Sequence, residues 1–174
     1  GSIVVESELM PGMITLHMLL AMILLSLLIS LQAWSSDGSK GVILPGTRIL
    51  YGLIILQVIL GTQVREKVDE FTKDDQGIVR GEWLDHAGLV DHLHRPLSLL
   101  VLGLSLFIWF QAKRKKESTK MPVWILAGVG GQILLGIILA YAGLPPWSQT
   151  AHLVLGAGLL CLVYRAGWHP FASA

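Results

Sequence analysis

Residues 123–144 read VWILAGVGGQILLGIILAYAGL, a run with no charged side chain and a single glutamine. As a helix rising 1.5 Å per residue, about 20 such residues cross the ~30 Å hydrocarbon core of a bilayer. A soluble amphipathic helix would interrupt the run with polar residues every three or four positions. A membrane β-strand would alternate polar and apolar residues. Neither pattern is present. Working outward, four more runs of the same kind appear at about Met13–Trp34, Leu44–Val64, Leu93–Phe110 and Ala151–Trp168. Backbone in lipid must satisfy its own hydrogen bonds, which helices do. The expected fold class is therefore all-α, a polytopic membrane bundle of five transmembrane helices.

Composition agrees. The chain is 53% hydrophobic and 14% charged, where soluble domains carry about 25% charged residues. A net charge of +1 and the lack of a basic, aromatic-interleaved patch argue against nucleic acid as a partner. Cys161 is the single cysteine, so no internal disulfide can form. The start, GSIVVESELMPG, has no basic n-region and is not expected to be a signal peptide. Punctuation marks the helix ends: Pro11-Gly12, the stretch Ser35-Ser36-Asp37-Gly38-Ser39-Lys40-Gly41, Pro122 in a first turn, and Gly143-Leu144-Pro145-Pro146.

Lysine and arginine set the expected orientation. Lys113-Arg114-Lys115-Lys116 with Lys120 form the densest basic cluster, so loop 113–120 is expected in the cytoplasm. Parity then places residues 35–44 and the tail 169–174 inside, and the long acidic loop 65–92 and the Pro145–Gln149 turn outside. The expected location is a bacterial inner (cytoplasmic) membrane.

Two internal matches stand out. Thr15-Leu16-His17 resembles Thr150-Ala151-His152, and Gln57-Val58-Ile59-Leu60-Gly61 resembles Gln132-Ile133-Leu134-Leu135-Gly136. They point to duplication on the scale of a bundle. His17, His94 and His152 each open a helix running inward from the expected outer side, so their imidazoles share a depth. Polar side chains in a membrane are costly and commonly functional. Neutral imidazole ligates haem iron, and facing helices of a bundle can hold a porphyrin. His94 and His152 form the preferred pair, with His17 a further candidate and His92 a substitute for His94. His86 and His169 read as solvated. Gly156 and Ser98, each four residues after a histidine, are expected to leave space for a macrocycle. Arg95 either pairs with a haem propionate or anchors the interface. Gln57 and Gln132 either bond between helices or face a cofactor. Ala127 and Gly131 are a small-residue pair expected at a helix contact. No zinc spacing, calcium loop, phosphate cradle or catalytic triad is visible.

The helix start at His94-Arg95, the helix from Gln132 to Gly143 followed by Leu144-Pro145-Pro146, the Thr150-Ala151-His152 that follows, and Leu60-Gly61-Thr62-Gln63-Val64-Arg65-Glu66 together resemble the C-terminal half of the heme A synthase family. The likeness extends over about Leu9–Trp168. It implies eight helices in two related four-helix bundles, and oxidation of a haem O methyl to the formyl of haem A for terminal oxidase maturation. It implies that His94 and His152 hold haem b, which relays electrons, and that His17 belongs to a second, substrate-haem site as a catalytic iron ligand. In this mapping residues 1–34 are the outer segment and last helix of an incomplete N-terminal bundle, 35–44 a linker, and 45–168 the haem-binding four-helix bundle. The carboxylate and first histidine of the substrate site have no counterpart here, so an N-terminal bundle in the same or a separate chain is expected to supply them. Further expected partners are the lipid bilayer, an electron donor of unknown identity, and haem O synthase or the terminal oxidase. Two other readings remain open: a b-type cytochrome that only carries electrons, and an assembly subunit without cofactor.

Overall fold

The computed structural model describes residues 12–35, 44–73 and 88–168. Among them are five helices: α1 (Met13–Ser35), α2 (Thr47–Lys73), α3 (Leu89–Arg114), α4 (Lys120–Tyr141) and α5 (Pro146–Trp168). Each is long and apolar enough to cross a membrane. Among the described residues there is no strand. The chain is a polytopic helical bundle, as the uncharged runs require.

Several boundaries shift by three or more residues from expectation, and three of these shifts are informative. α2 continues past Val64 to Lys73. Its polar end is supported by ion pairs one turn apart, Arg65–Asp69 at 2.9 Å and Lys67–Glu70 at 2.8 Å, the spacing at which helix side chains meet. α3 begins at Leu89 rather than Leu93, with Asp91 in its first turn, where a carboxylate suits the helix dipole. α5 begins at Pro146, so residues 146–149, expected as turn, are helical. Proline at a first helical position has no N–H to strand and a φ already set.

The turn between α4 and α5 is tight. Gly143 and Leu144 have φ of +67° and +56°. Left-handed backbone at leucine costs about 1 kcal/mol. Its setting offsets that cost: Leu144 N–H donates to Leu139 O (3.2 Å), Gln149 Nε2 donates to Leu144 O (2.7 Å), and the side chain is buried with Val68.

Helices α2 to α5 form a closed ring in chain order, α2 on α3, α3 on α4, α4 on α5 and α5 on α2. α3 and α5 therefore stand diagonally across it. α1 lies outside, against α2 and α5. The core of the ring is filled by Leu50, Ile54, Val101, Ile108, Ile125 and Leu160. In lipid the gain from this packing is dispersion and close fit, because the alternative environment is equally apolar. The tight contact of α4 with α5 uses Gly128 and Gly131. A Cβ on Gly131 would lie 2.9 Å from Leu155, and one on Gly128 3.0 Å from Leu159. Ala127 is exposed instead, so the close-approach pair is Gly128 and Gly131, shifted by one residue from the expected Ala127 and Gly131.

Candidate functional site: a histidine pair across the bundle

α1, α3 and α5 start at the same end of the molecule, here the histidine end. His17, His94 and His152 are the fifth, sixth and seventh residues of their helices. The structure brings two of them together. His94 and His152 are half-buried, on the diagonal helices α3 and α5, and lie within electrostatic reach of each other. His17 is exposed on α1, outside the ring. His92 is exposed too. His86 and His169 lie outside the described residues.

Each paired histidine is held in the same way by the helix before it in the chain. Gln57 of α2 donates from Nε2 to the His94 carbonyl at 3.1 Å, and Gln132 of α4 donates from Nε2 to the His152 carbonyl at 2.8 Å. Four residues on, a glycine faces each ring. An ideal Cβ on Gly61 would lie 3.4 Å from His94 Cε1, and one on Gly136 3.8 Å from His152 Cε1. Glutamine and glycine four apart share a helix face. One face of α2, and the matching face of α4, thus ties a histidine's backbone and lines its ring. This is the interhelical role for the glutamines. The glycines at the rings were not singled out as site residues, although the repeated Gln-x-x-x-Gly was visible as a duplication.

Two expectations change. Gly156 does not open space for a macrocycle. A Cβ there would lie 2.8 Å from Gln132 Nε2, so its missing side chain seats the Gln132 amide. Ser98 turns back to its own helix, donating to the Arg95 carbonyl at 2.6 Å. Arg95 itself pairs with Asp91 at 2.6 Å. The Asp91 side chain is 7% exposed and that of Arg95 46% exposed, so the guanidinium reaches outward while the carboxylate is enclosed. Pro96, inside α3, removes one backbone donor within this stretch.

Hydrogen bonding at the pair is incomplete. His94 Nδ1, His152 Nδ1, Gln57 Oε1 and Gln132 Oε1 are buried and have no hydrogen-bond partner. Buried polar atoms are almost always paired, and each exception is costly. Among the described residues, no three His, Cys, Asp or Glu side chains are placed to hold a metal ion. Two neutral nitrogen donors from opposed helices instead match the needs of an iron whose remaining ligands come from a porphyrin. The residues fit a haem: two imidazoles across a ring of helices, with glycine against each.

A transmembrane helical bundle with paired, interior-facing imidazoles at one end is the class this fold and site define. The sequence comparison is more specific. The family model COX15-CtaA, cytochrome oxidase assembly protein, matches residues 1–164, and the chain belongs to that family. A curated relative, heme A synthase of Dinoroseobacter shibae, is 27% identical over 164 residues, covering 83% of this chain. The chain spans 42% of that relative's length. No solved structure matches.

Proposed function

We propose that this chain is the haem-holding part of a heme A synthase-type membrane oxidoreductase, with His94 and His152 as axial ligands of a b-type haem between α3 and α5. The observation that carries the reading is the matched pair of half-buried imidazoles on diagonal helices, each with a glycine at its ring. Held by His94 and His152, a haem would supply one-electron transfer.

The chain's own residues perform the supporting tasks. α3 and α5 carry the ligands at one depth. The glutamines of α2 and α4 fix those helices at the histidines. The apolar ring excludes water. Arg95, half-exposed and paired with Asp91, would turn toward a haem propionate, which a guanidinium suits. The haem O to haem A conversion needs a second site. In this reading that site includes His17 and residues of a further bundle packed against α1, and haem O is its substrate. The histidine end faces the extracytoplasmic side of a bacterial inner membrane, and loop 113–120 faces the cytoplasm. The electron donor is unnamed, and haem O synthase and the terminal oxidase are proposed neighbours.

The test is spectroscopic. Protein purified from a haem-replete host should show a low-spin haem spectrum, and His94→Ala or His152→Ala should abolish it while the chain still inserts. A normal low-spin spectrum in both variants overturns the ligand assignment. Extracted pigment then separates the enzyme from a simple carrier. Haem O or haem A beside haem b supports the synthase reading, and haem b alone supports the carrier.

A further inference from the structure

The two glutamines are built for more than tying helices. Each amide has one half engaged and one half idle. Nε2 donates to the histidine carbonyl, while Oε1 is buried without a donor. The histidine whose carbonyl each amide bonds has an Nδ1 that is likewise buried and without a partner. The deficits are complementary: an imidazole that binds a metal through Nε2 carries its proton on Nδ1 and needs an acceptor. An amide oxygen is such an acceptor. The arrangement occurs twice, on α2 with α3 and on α4 with α5, with the same donor, the same carbonyl and a glycine four residues on at the ring. The sequence intervals differ, from Gln57 to His94 in one case and from Gln132 to His152 in the other, so the contacts were not imposed by one shared loop length. Gly156 adds to the case, because its lack of a Cβ keeps the Gln132 amide in place.

We infer that Gln57 and Gln132 are positioning residues that accept the Nδ1–H of His94 and His152, fixing tautomer and ring orientation and tuning the iron they ligate. The inference rests on the haem reading above. Outer partners of this kind raise ligand basicity and are a main lever on metal properties. A stronger acceptor gives the imidazole more anionic character, favours the ferric state and lowers the reduction potential. Loss of the acceptor does the reverse.

The test compares haem-loaded full chains carrying Gln57→Leu, Gln57→Glu, Gln132→Leu, Gln132→Glu and Gly156→Ala by redox titration and low-spin electron paramagnetic resonance. The leucine variants should have a raised potential and altered g-values. The glutamate variants keep an acceptor while losing the amide donor, so they should retain haem at a potential below wild type. Gly156→Ala crowds the Gln132 amide and should shift the potential in the direction of Gln132→Leu. A glutamine acting only as a helix tie predicts the opposite grouping, with leucine and glutamate equally impaired. Wild-type potential in the leucine variants, or failure of the glutamate variants to hold haem, overturns the inference. If the leucine variants lose haem, the glutamate potentials decide. Wild-type protein lacking a low-spin haem would overturn the haem reading itself, a different result from unshifted potentials in haem-loaded variants.

Discussion

The two ends of the bundle are built on opposite terms. At the histidine end, four buried side-chain atoms of His94, His152, Gln57 and Gln132 have no partner. At the other end, Glu117 Oε2 in the α3–α4 turn is the one buried side-chain atom among the described residues without a partner, and a group of hydroxyls is paired. Ser26 Oγ donates to Met22 O at 2.8 Å and meets Tyr51 Oη at 2.9 Å, and Ser30 Oγ donates to Ser26 O at 3.0 Å and meets Tyr164 Oη at 2.8 Å. The rings of Tyr51, Tyr164 and Trp168 pack together at centroid distances of 4.9 to 5.4 Å. Arg48 lies 5.4 Å from the Trp168 ring centroid and donates to Gly167 O at 3.1 Å. Helix α1 is attached at both ends, since at the histidine end Thr15 Oγ1 meets Thr62 Oγ1 at 2.7 Å and Gly12 N–H donates to Glu66 Oε1 at 2.9 Å. Four of the unpaired buried atoms thus gather at the histidine end, while the ring stack and the hydroxyl pairs gather at the other. Sites that bind commonly carry such local deficits.

The largest expected effect breaks the comparison at its centre. His94→Leu removes an unpaired buried nitrogen, so it should leave the thermal stability of the haem-free chain unchanged or raise it, while abolishing the low-spin haem spectrum. Thermal scans with and without haem check both halves. A large loss of haem-free stability would mean that the imidazole is structural. Next comes Leu160→Ala in the fully buried core. Leucine truncations in soluble cores cost about 2–5 kcal/mol. In lipid the transfer part is largely absent, so about 1–3 kcal/mol is expected, with the absorption spectrum of the surviving haem-bound protein unchanged. A third substitution, Arg95→Ala, leaves the enclosed Asp91 carboxylate without its 2.6 Å partner. Breaking fully buried pairs costs about 3–5 kcal/mol. With Arg95 half-exposed, about 1–2 kcal/mol is expected after allowing for solvent screening. Arg95→Lys should restore most of the stability. Chemical denaturation of the haem-free chain measures both.

The sequence carried the class of fold and the candidate histidine pair because both rest on signals local to one helix. Uncharged length marks a span, and a histidine a fixed distance from a helix start sets its depth. What it did not carry depends on helix phase and on packing between helices. Gly156 shares a helix face with His152, so sequence spacing made it look like cofactor space. The side chain that occupies the space comes from α4, which no spacing within α5 reveals. Ala127 and Gly131 were one residue off the real contact at Gly128 and Gly131, because a small-residue pair in a glycine-rich run fits several phases. Gln57 with Gly61, and Gln132 with Gly136, were legible as a repeat but not as a device, since their meaning lies in what the neighbouring helix places against them. α2 ran past its apolar segment because ion pairs at Arg65–Asp69 and Lys67–Glu70 sustain a helix that hydropathy alone ends.

The smallest predicted effect concerns the hydroxyl pair at the end opposite the histidines, and its sign follows from counting protons. Ser26 has one O–H and gives it to the Met22 carbonyl, so in the contact with Tyr51 it is the tyrosine that donates. Tyr51→Phe deletes the donor and leaves Ser26 with its own bond intact. The expected cost is about 0.6 kcal/mol, the average for such bonds between membrane helices. Ser26→Ala instead strands a part-buried tyrosine O–H and should cost more, about 1–2 kcal/mol. The asymmetry is the informative quantity. In Tyr51→Phe the Ser26→Ala change should cost little more, because the group it would strand is already gone. Equal single-variant costs, or additive ones, would show that the Ser26–Tyr51 hydroxyl contact contributes nothing to the attachment of α1.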